Sequence, residues 1–495
     1  MNPALAILQS ALEPWQKRNR LAAEAEATLP APGLTAQVQG FLEAGILCTL
    51  FEGNAPYRPR YVVPDYAVLL RQGSAYLNLE PPRDLFEAVG ALLAAYRFVP
   101  SITGFPVYVG QLDDLLEPFW ETVPAATRER LLELLLVQID RTLPDAFVHL
   151  NLGPRDTAVG RAVLRIERRL RKAVPNISLK VAPGTPEPLL LEAVATALET
   201  GKPYFVNHPA LVAELGEDYA VASCYNTLRL GGGSHTLVRL NLAALAQDCP
   251  DARTFLEQRL PEGVAALTGL IQARVRFLVE DTGFFQSSFL VQEGLIRLDR
   301  FTAMAGVFGL FEAVEALTGG LRMGRDPEAD TLAEAITWRA RDLVKAEPAA
   351  HCAGTGGRLG FHAQSGIATD IEVTPGVRIR PGLEPDLPAQ VALEARLQGA
   401  FDVGVSEVLV LEPSARNSPE GVLRVVRGAL AQGLRILALN TSDSELVRIT
   451  GYLVKRTDLD RIRAQQNLRE ESALLGEAAL RNGRSGSRRV RPIVA

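Results

Sequence analysis

The chain has 495 residues, 47% of them hydrophobic and 22% charged, with 52 Lys and Arg against 57 Asp and Glu and a formal net charge of -5. That balance excludes a nucleic-acid binder working by bulk phosphate neutralisation, and the composition excludes a disordered or collagen-like chain. The length allows about three domains, or one large α/β barrel.

Residues 1–145 are expected to be mainly helical. Apolar residues recur at helical spacing from Pro82 to Val99 and from Thr127 to Leu143. From Phe147 short apolar runs alternate with helix-length segments. Phe147–Leu150, Ile177–Val181, Pro203–Val206 and Tyr219–Ser223 read as strands. Thr157–Ala173 and Pro188–Glu199 read as helices between them, and the alternation predicts an α/β architecture. Arg253–Val279 and Phe301–Leu317 read as long buried helices, being apolar on several faces. Glu407–Leu411, Ser418–Ala431 and Leu434–Leu439 form a βαβ pattern. A polar turn, Asn440–Asp443, leads into Val447–Leu453 and then a charged helix from Leu459. Arg481 to Arg491 is basic and Gly/Ser-rich and reads as a mobile tail.

The cysteines, Cys48, Cys224, Cys249 and Cys352, are scattered, with no C-x-x-C pair. This spacing gives no compact zinc site, and a disulfide framework is not expected in so long a chain. No apolar run reaches the ~18 residues of a membrane span. The start, Met1 to Arg20, reads as an amphipathic helix rather than a signal peptide, so a cytoplasmic location is expected. Gly354–Gly360 has the wrong glycine spacing for a dinucleotide loop and no strand before it. Gly201-Lys202 is followed by Pro203, so the hydroxyl of a phosphate-binding loop is missing.

Two local sites stand out. Cys224 lies at the end of an apolar strand in Ala222-Ser-Cys-Tyr-Asn-Thr-Leu228, followed by what reads as a Gly-rich turn, Gly231-Gly-Gly-Ser-His235. Arg448-Ile-Thr-Gly-Tyr452 follows the late βαβ unit. Alone, the first is an ordinary small core residue and the second an ordinary loop glycine supplying a positive φ. Together they resemble the glycyl radical enzymes, in which an Arg-Val-x-Gly-Tyr-type loop near the C-terminus carries a backbone radical and a mid-chain cysteine on a finger loop forms the thiyl. The resemblance extends over most of the chain after Phe147, including Asn151–Thr157, Val174–Lys180, Gly216–Tyr219 and Thr374–Ile379. It is strongest to the YjjI-type branch, whose reaction is undefined. Gly231 to Leu242 also resembles the stretch after the radical cysteine of anaerobic ribonucleotide reductases.

The resemblance implies a ten-stranded α/β barrel with a helical N-terminal region. Residues 1–145 would pack on the barrel, 146–440 would form its body with the cysteine finger loop, and 441–495 would be the radical segment. It assigns the radical to Gly451 and the thiyl to Cys224, with Arg448 and Tyr452 supporting the radical loop. It implies no metal and no tightly bound organic cofactor. The radical would be a post-translational modification, installed by a separate S-adenosylmethionine and iron–sulfur activase. It further implies anaerobic operation, a homodimer and a small polar substrate, with no nucleic-acid or membrane partner.

The chemistry suits these residue types. A glycyl radical is delocalised over two flanking amides, and a side chain would crowd that planar centre. The thiyl comes from S–H homolysis, so thiolate character is not required of Cys224. Two family patterns are absent. Asn226 stands where the dehydratases have a glutamate base, and an amide orients a hydroxyl or carbonyl but takes no proton at neutral pH. Ser223, not a second cysteine, precedes Cys224. The loop from His351 to Gly366 supplies further candidates: Cys352 as a redox thiol, His362 as acid or base, and Arg358 as an anion contact. Asp370 and Glu372 are candidate bases, and His235 is a weaker candidate. An anaerobic ribonucleotide-reductase-like enzyme and a catalytically silent ligand-binding barrel remain the alternatives.

Overall fold

Among the described residues, fifteen strands are assembled by runs of apolar residues, most of them buried on both faces. A computed structural model describes residues 2–50, 52–363, 370–464, 466, 476, 478–480 and 485–493. One sheet joins β1 (Leu47–Cys48), β2 (Tyr61–Val63), β8 (Gly232–Asn241), β9 (Phe301–Phe308) and β10 (Gly360–Ala363). Its β8, β9 and β10 run parallel, and β1 and β2 pair antiparallel with the two ends of β8. The other has the order β15–β11–β12–β5–β4–β3. Its strands are β3 (His149–Leu152), β4 (Asn176–Val181), β5 (Tyr204–Asn207), β11 (Glu407–Leu411), β12 (Ile436–Thr441) and β15 (Val490–Arg491). Here β3–β4–β5 and β12–β11–β15 are each parallel, and the two groups meet antiparallel at β5 and β12.

Two hairpins complete the arrangement: β6 (Tyr219–Ala222) with β7 (Asn226–Arg229), and β13 (Leu446–Arg448) with β14 (Leu453–Lys455). The first lies between the sheets and is bonded to both sides. Asn151 of β3 exchanges two hydrogen bonds with the Val221 backbone, and Thr227 N–H donates to Val403 C=O, next to β10. Helices from the crossovers cover the outside, as parallel sheets require.

Most expected elements are present within a few residues. The helix Ala158–Leu170 starts at Thr157, whose hydroxyl accepts from Gly160 N–H. The βαβ unit is β11, the helix Pro419–Gln432 and β12, in parallel register. Three expectations are corrected. Phe301–Leu317 is not one helix but β9 followed by a short helix, Leu310–Leu317. All eight residues of β9 are buried, and periodicity cannot separate such a strand from a buried helix. Of the triple glycine only Gly231 lies in a turn, with a left-handed φ of 73°. Gly232 and Gly233 lie inside β8, where a Cβ would stand 2.2 Å from Arg300 O and 2.1 Å from Tyr61 O, so glycine lets the backbones approach. The basic tail, of which 481–484 lie outside the described residues, docks over 488–493: β15 extends a sheet and Arg488 and Arg491 are buried. No described helix is long and apolar enough to cross a membrane.

Candidate active site

Cys224 occupies the three-residue turn Ser223-Cys-Tyr225 that closes the inner hairpin, between paired Ala222 and Asn226. Ser223 takes a left-handed φ of 59°, uncommon for a residue with a side chain. Two contacts hold it there: its N–H donates to Val107 O at 2.9 Å, and its C=O accepts from His149 Nδ1 at 2.7 Å. Because a carbonyl only accepts, Nδ1 carries the proton, and Nε2 accepts from Ser178 Oγ at 2.8 Å. Burial pushes the His149 pKa down to about 3, so the ring is a neutral strut.

The β13–β14 hairpin brings residues 449–452 onto this turn. A Cβ on Gly451 would stand 2.0 Å from Cys224 Cβ and 2.8–2.9 Å from the Tyr225 ring. The Gly451 α-carbon is therefore no farther than about 3.5 Å from Cys224 Cβ, one carbon–carbon bond beyond that gap. Gly451 is not among the positive-φ glycines, so the expected reason for a loop glycine is replaced by another: space. Tyr204 Oη donates to Gly451 O at 2.5 Å and to Asn176 Oδ1 at 3.0 Å; a phenol has one proton, so these two acceptors share it. Arg448 is buried, lies 4.3 Å over the Tyr204 ring and donates to Gly201 O. Arg488, from the tail, donates to Ile449 O at 2.9 Å and Arg448 O at 3.4 Å. Burial lowers the Arg488 pKa to about 10. Tyr452 is buried and packs on Phe147 at 4.9 Å between ring centroids.

Around the turn, Asn226 Nδ2 donates to Ala222 O at 3.2 Å and points to Cys224 Sγ at 3.6 Å. Tyr225 Oη donates to Ala363 O at 2.9 Å. The His362 ring stacks on Tyr225 at 5.6 Å and 9°, and the Arg378 guanidinium lies 5.6 Å from the Tyr225 ring centroid. Burial, with Arg60 and Arg378 nearby, pushes the His362 pKa down to about 3.

The candidate residues thus divide. Gly451, Cys224, Asn226, Arg448, Tyr452 and His362 converge. His235 is packed between Phe285 and Phe301, with Nε2 on His351 O. Cys352 is buried against β9, its thiol pushed up to about 12 by burial. Arg358 is half-buried and caps a helix carbonyl, Ala346 O, at 2.6 Å. Asp370 is locked to buried Arg239 by two bonds of 2.5 and 2.6 Å. Glu372 is exposed. Gln364, Ser365 and Gly366 of the same loop lie outside the described residues. Tyr204, Arg60, His149 and Arg488 were not singled out as site residues by the sequence, beyond the tail's basic composition around Arg488; Tyr225 and Arg378 lie in the resembling stretches Ala222–Leu228 and Thr374–Ile379 but were given no role there.

The architecture matches solved radical enzymes. An anaerobic ribonucleotide reductase superposes with a TM-score of 0.70 at 12% identity, covering 86% of this chain and 80% of that one. Hydroxyproline dehydratase from Clostridioides difficile, solved with trans-4-hydroxy-L-proline, gives 0.67 at 13% identity over 99% and 86%. The mixed α/β fold is therefore that of the glycyl radical enzymes, whose barrels are ten-stranded. At the level of sequence, the family model described as "Glycyl radical enzyme YjjI-like" matches residues 12–491, and the chain belongs to that family of enzymes. The uncharacterized protein YjjI of Escherichia coli strain K12 is 40% identical over 490 residues, 97% of this chain and 94% of that one.

Proposed function

We propose that Gly451 stores a backbone radical and passes it to Cys224, whose thiyl takes a hydrogen atom from a small polar substrate. The observation that carries this reading is the 2.0 Å gap between a hypothetical Gly451 Cβ and Cys224 Cβ. The step balances: the Cys224 S–H bond breaks, a Gly451 Cα–H bond forms, and the unpaired electron moves to sulfur. The thiyl then removes hydrogen from a substrate C–H and returns it after rearrangement. Burial of the turn excludes water and oxidants, and the packed hairpins fix the orientation on which hydrogen transfer depends. Asn226 orients a substrate oxygen but takes no proton.

Glycyl radical enzymes are generally activated by radical S-adenosylmethionine enzymes, and we extend this to the present chain, with a homodimer as its working form. Opening of the 446–455 hairpin would carry Gly451 to the activase. The test is electron paramagnetic resonance after anaerobic activation. A doublet from one α-hydrogen is expected, collapsing to a singlet in Cys224→Ser protein grown on 2,2-dideuteroglycine, where no thiol at position 224 returns solvent hydrogen to Gly451. A sample that yields no doublet with an activase proven on a related enzyme would overturn the reading.

A further inference from the structure

Several buried polar atoms beside the Cys224 turn have no hydrogen-bond partner among the described residues. They are Nε of Arg60, Nε of Arg378, both ring nitrogens of His362, and Oδ1 of Asn226. All four residues are at least nine-tenths buried. Leaving such atoms unsatisfied is costly, and native proteins rarely do so without a ligand or water to complete them.

The atoms share one neighbourhood. Asn226 touches Cys224 Sγ, and His362 and Arg378 both pack on Tyr225, the next residue. Arg60 precedes Tyr61 in β2, its guanidinium 5.1 Å from that ring, and its charge acts on His362. The balance of charge is positive. Arg60 and Arg274 share a single carboxylate, Glu52, at 3.0 and 3.1 Å. Arg378 has Glu407 only at 3.9 Å, beyond hydrogen-bonding reach. Burial and the nearby Glu407 push the pKa of neighbouring Glu394 well up, which disfavours a second negative charge here.

We infer that this site takes a small hydroxylated organic anion, its carboxylate or phosphate bound by Arg60 and Arg378 and its hydroxyl accepted by Asn226 Oδ1. Planar guanidinium groups suit both anions, and a buried surplus of positive charge disfavours a neutral polyol relative to its charged counterpart. His362, neutral and stacked, completes the site as a hydrogen-bonding wall. The inference rests on Cys224 being the residue that meets substrate.

The experiment uses the full-length protein before activation, so its result does not depend on the radical. Titration calorimetry under anaerobic conditions compares inorganic phosphate, glycerate, glycerol 3-phosphate and glycerol. At least one anion should bind at least about tenfold more tightly than glycerol, and Arg378→Gln and Arg60→Gln should each weaken it at least about tenfold. Arg378→Lys, which keeps the charge, should recover part of the loss. Thermal unfolding of each variant checks that it folds. Which anion binds more tightly separates a phosphate from a carboxylate substrate. Binding of no anion, equal binding of glycerol, or anion binding unchanged in both Gln variants would overturn the inference. A missing radical doublet would instead overturn the proposed function and leave this binding result standing.

Discussion

Gly451→Ala tests the packing on which the radical reading depends. The added methyl would sit 2.0 Å from Cys224 Cβ and under 3 Å from two Tyr225 ring carbons, where carbon contacts are optimal at about 3.5–4.0 Å. Overpacking of cores costs about 1–3 kcal/mol, and contacts this short put the variant at the upper end. The hairpin Leu446–Lys455 can relieve the clash by undocking without global unfolding. A cost of about 3 kcal/mol shifts the docked-to-undocked ratio by about 150-fold. Hydrogen exchange read by mass spectrometry on unactivated protein should show the hairpin amides, including Ile449 N–H bonded to Tyr452 O, exchanging about 100-fold faster. Amides of β9 and β4 should be unchanged. Gly428→Ala is the control: its Cβ meets nothing within 4 Å on the exposed face of the helix Pro419–Gln432, so it should stabilise by up to about 1 kcal/mol. A wild-type exchange pattern across the hairpin of Gly451→Ala would refute the packing argument.

Further outcomes follow from the same geometry. Tyr204→Phe removes the donor shared by Gly451 O and Asn176 Oδ1; it should cost about 1–3 kcal/mol and speed exchange in the hairpin, without a clash. Asp370→Asn leaves the buried Arg239 guanidinium without its carboxylate and should cost about 3–5 kcal/mol in urea unfolding. His362 has a folded pKa of about 3, below the unfolded value of about 6.5. The unfolded chain therefore takes the proton first as pH falls, and the stabilisation present above about 6.5 is lost on the way down to about 3. Between pH 7 and 5.5, wild type should lose about 1.3 kcal/mol relative to His362→Phe, which keeps the ring stack; equal losses in the two proteins would contradict a neutral His362.

The sequence made the layers legible where period and length agreed. The helix at Ala158–Leu170, the βαβ unit around Pro419–Gln432 and strands β4 and β11 all carry local signals. It misread Phe301–Phe308 because a strand buried on both faces has no alternation to show. It misread the tail because composition records charge but not the partners, Ile449 O among them, that bury Arg488. In the site, Gly451 and Cys224 were legible as short motifs. His362 was legible as part of a Gly-rich loop, and its loop neighbours Cys352 and Arg358 went elsewhere. Tyr204 and Arg60 have no local signature, and Arg378 lies in the resembling stretch Thr374–Ile379 with nothing in it to mark a site role. Arg60 and Tyr204 lie at or beside separate strands and Arg378 follows the 364–369 segment, so only tertiary structure brings them to one turn.

The central claim is hydrogen transfer between Gly451 and Cys224, and deuterium exchange into the radical site measures it directly. A thiol exchanges its hydrogen with solvent, so reversible transfer from Cys224 should carry solvent deuterium to the Gly451 α-carbon. Protein activated anaerobically in D2O should show the radical doublet collapsing to a singlet, while Cys224→Ser, activated in the same way, should keep its doublet. A doublet that persists in D2O in the wild-type protein, or collapses equally in Cys224→Ser, would contradict the account.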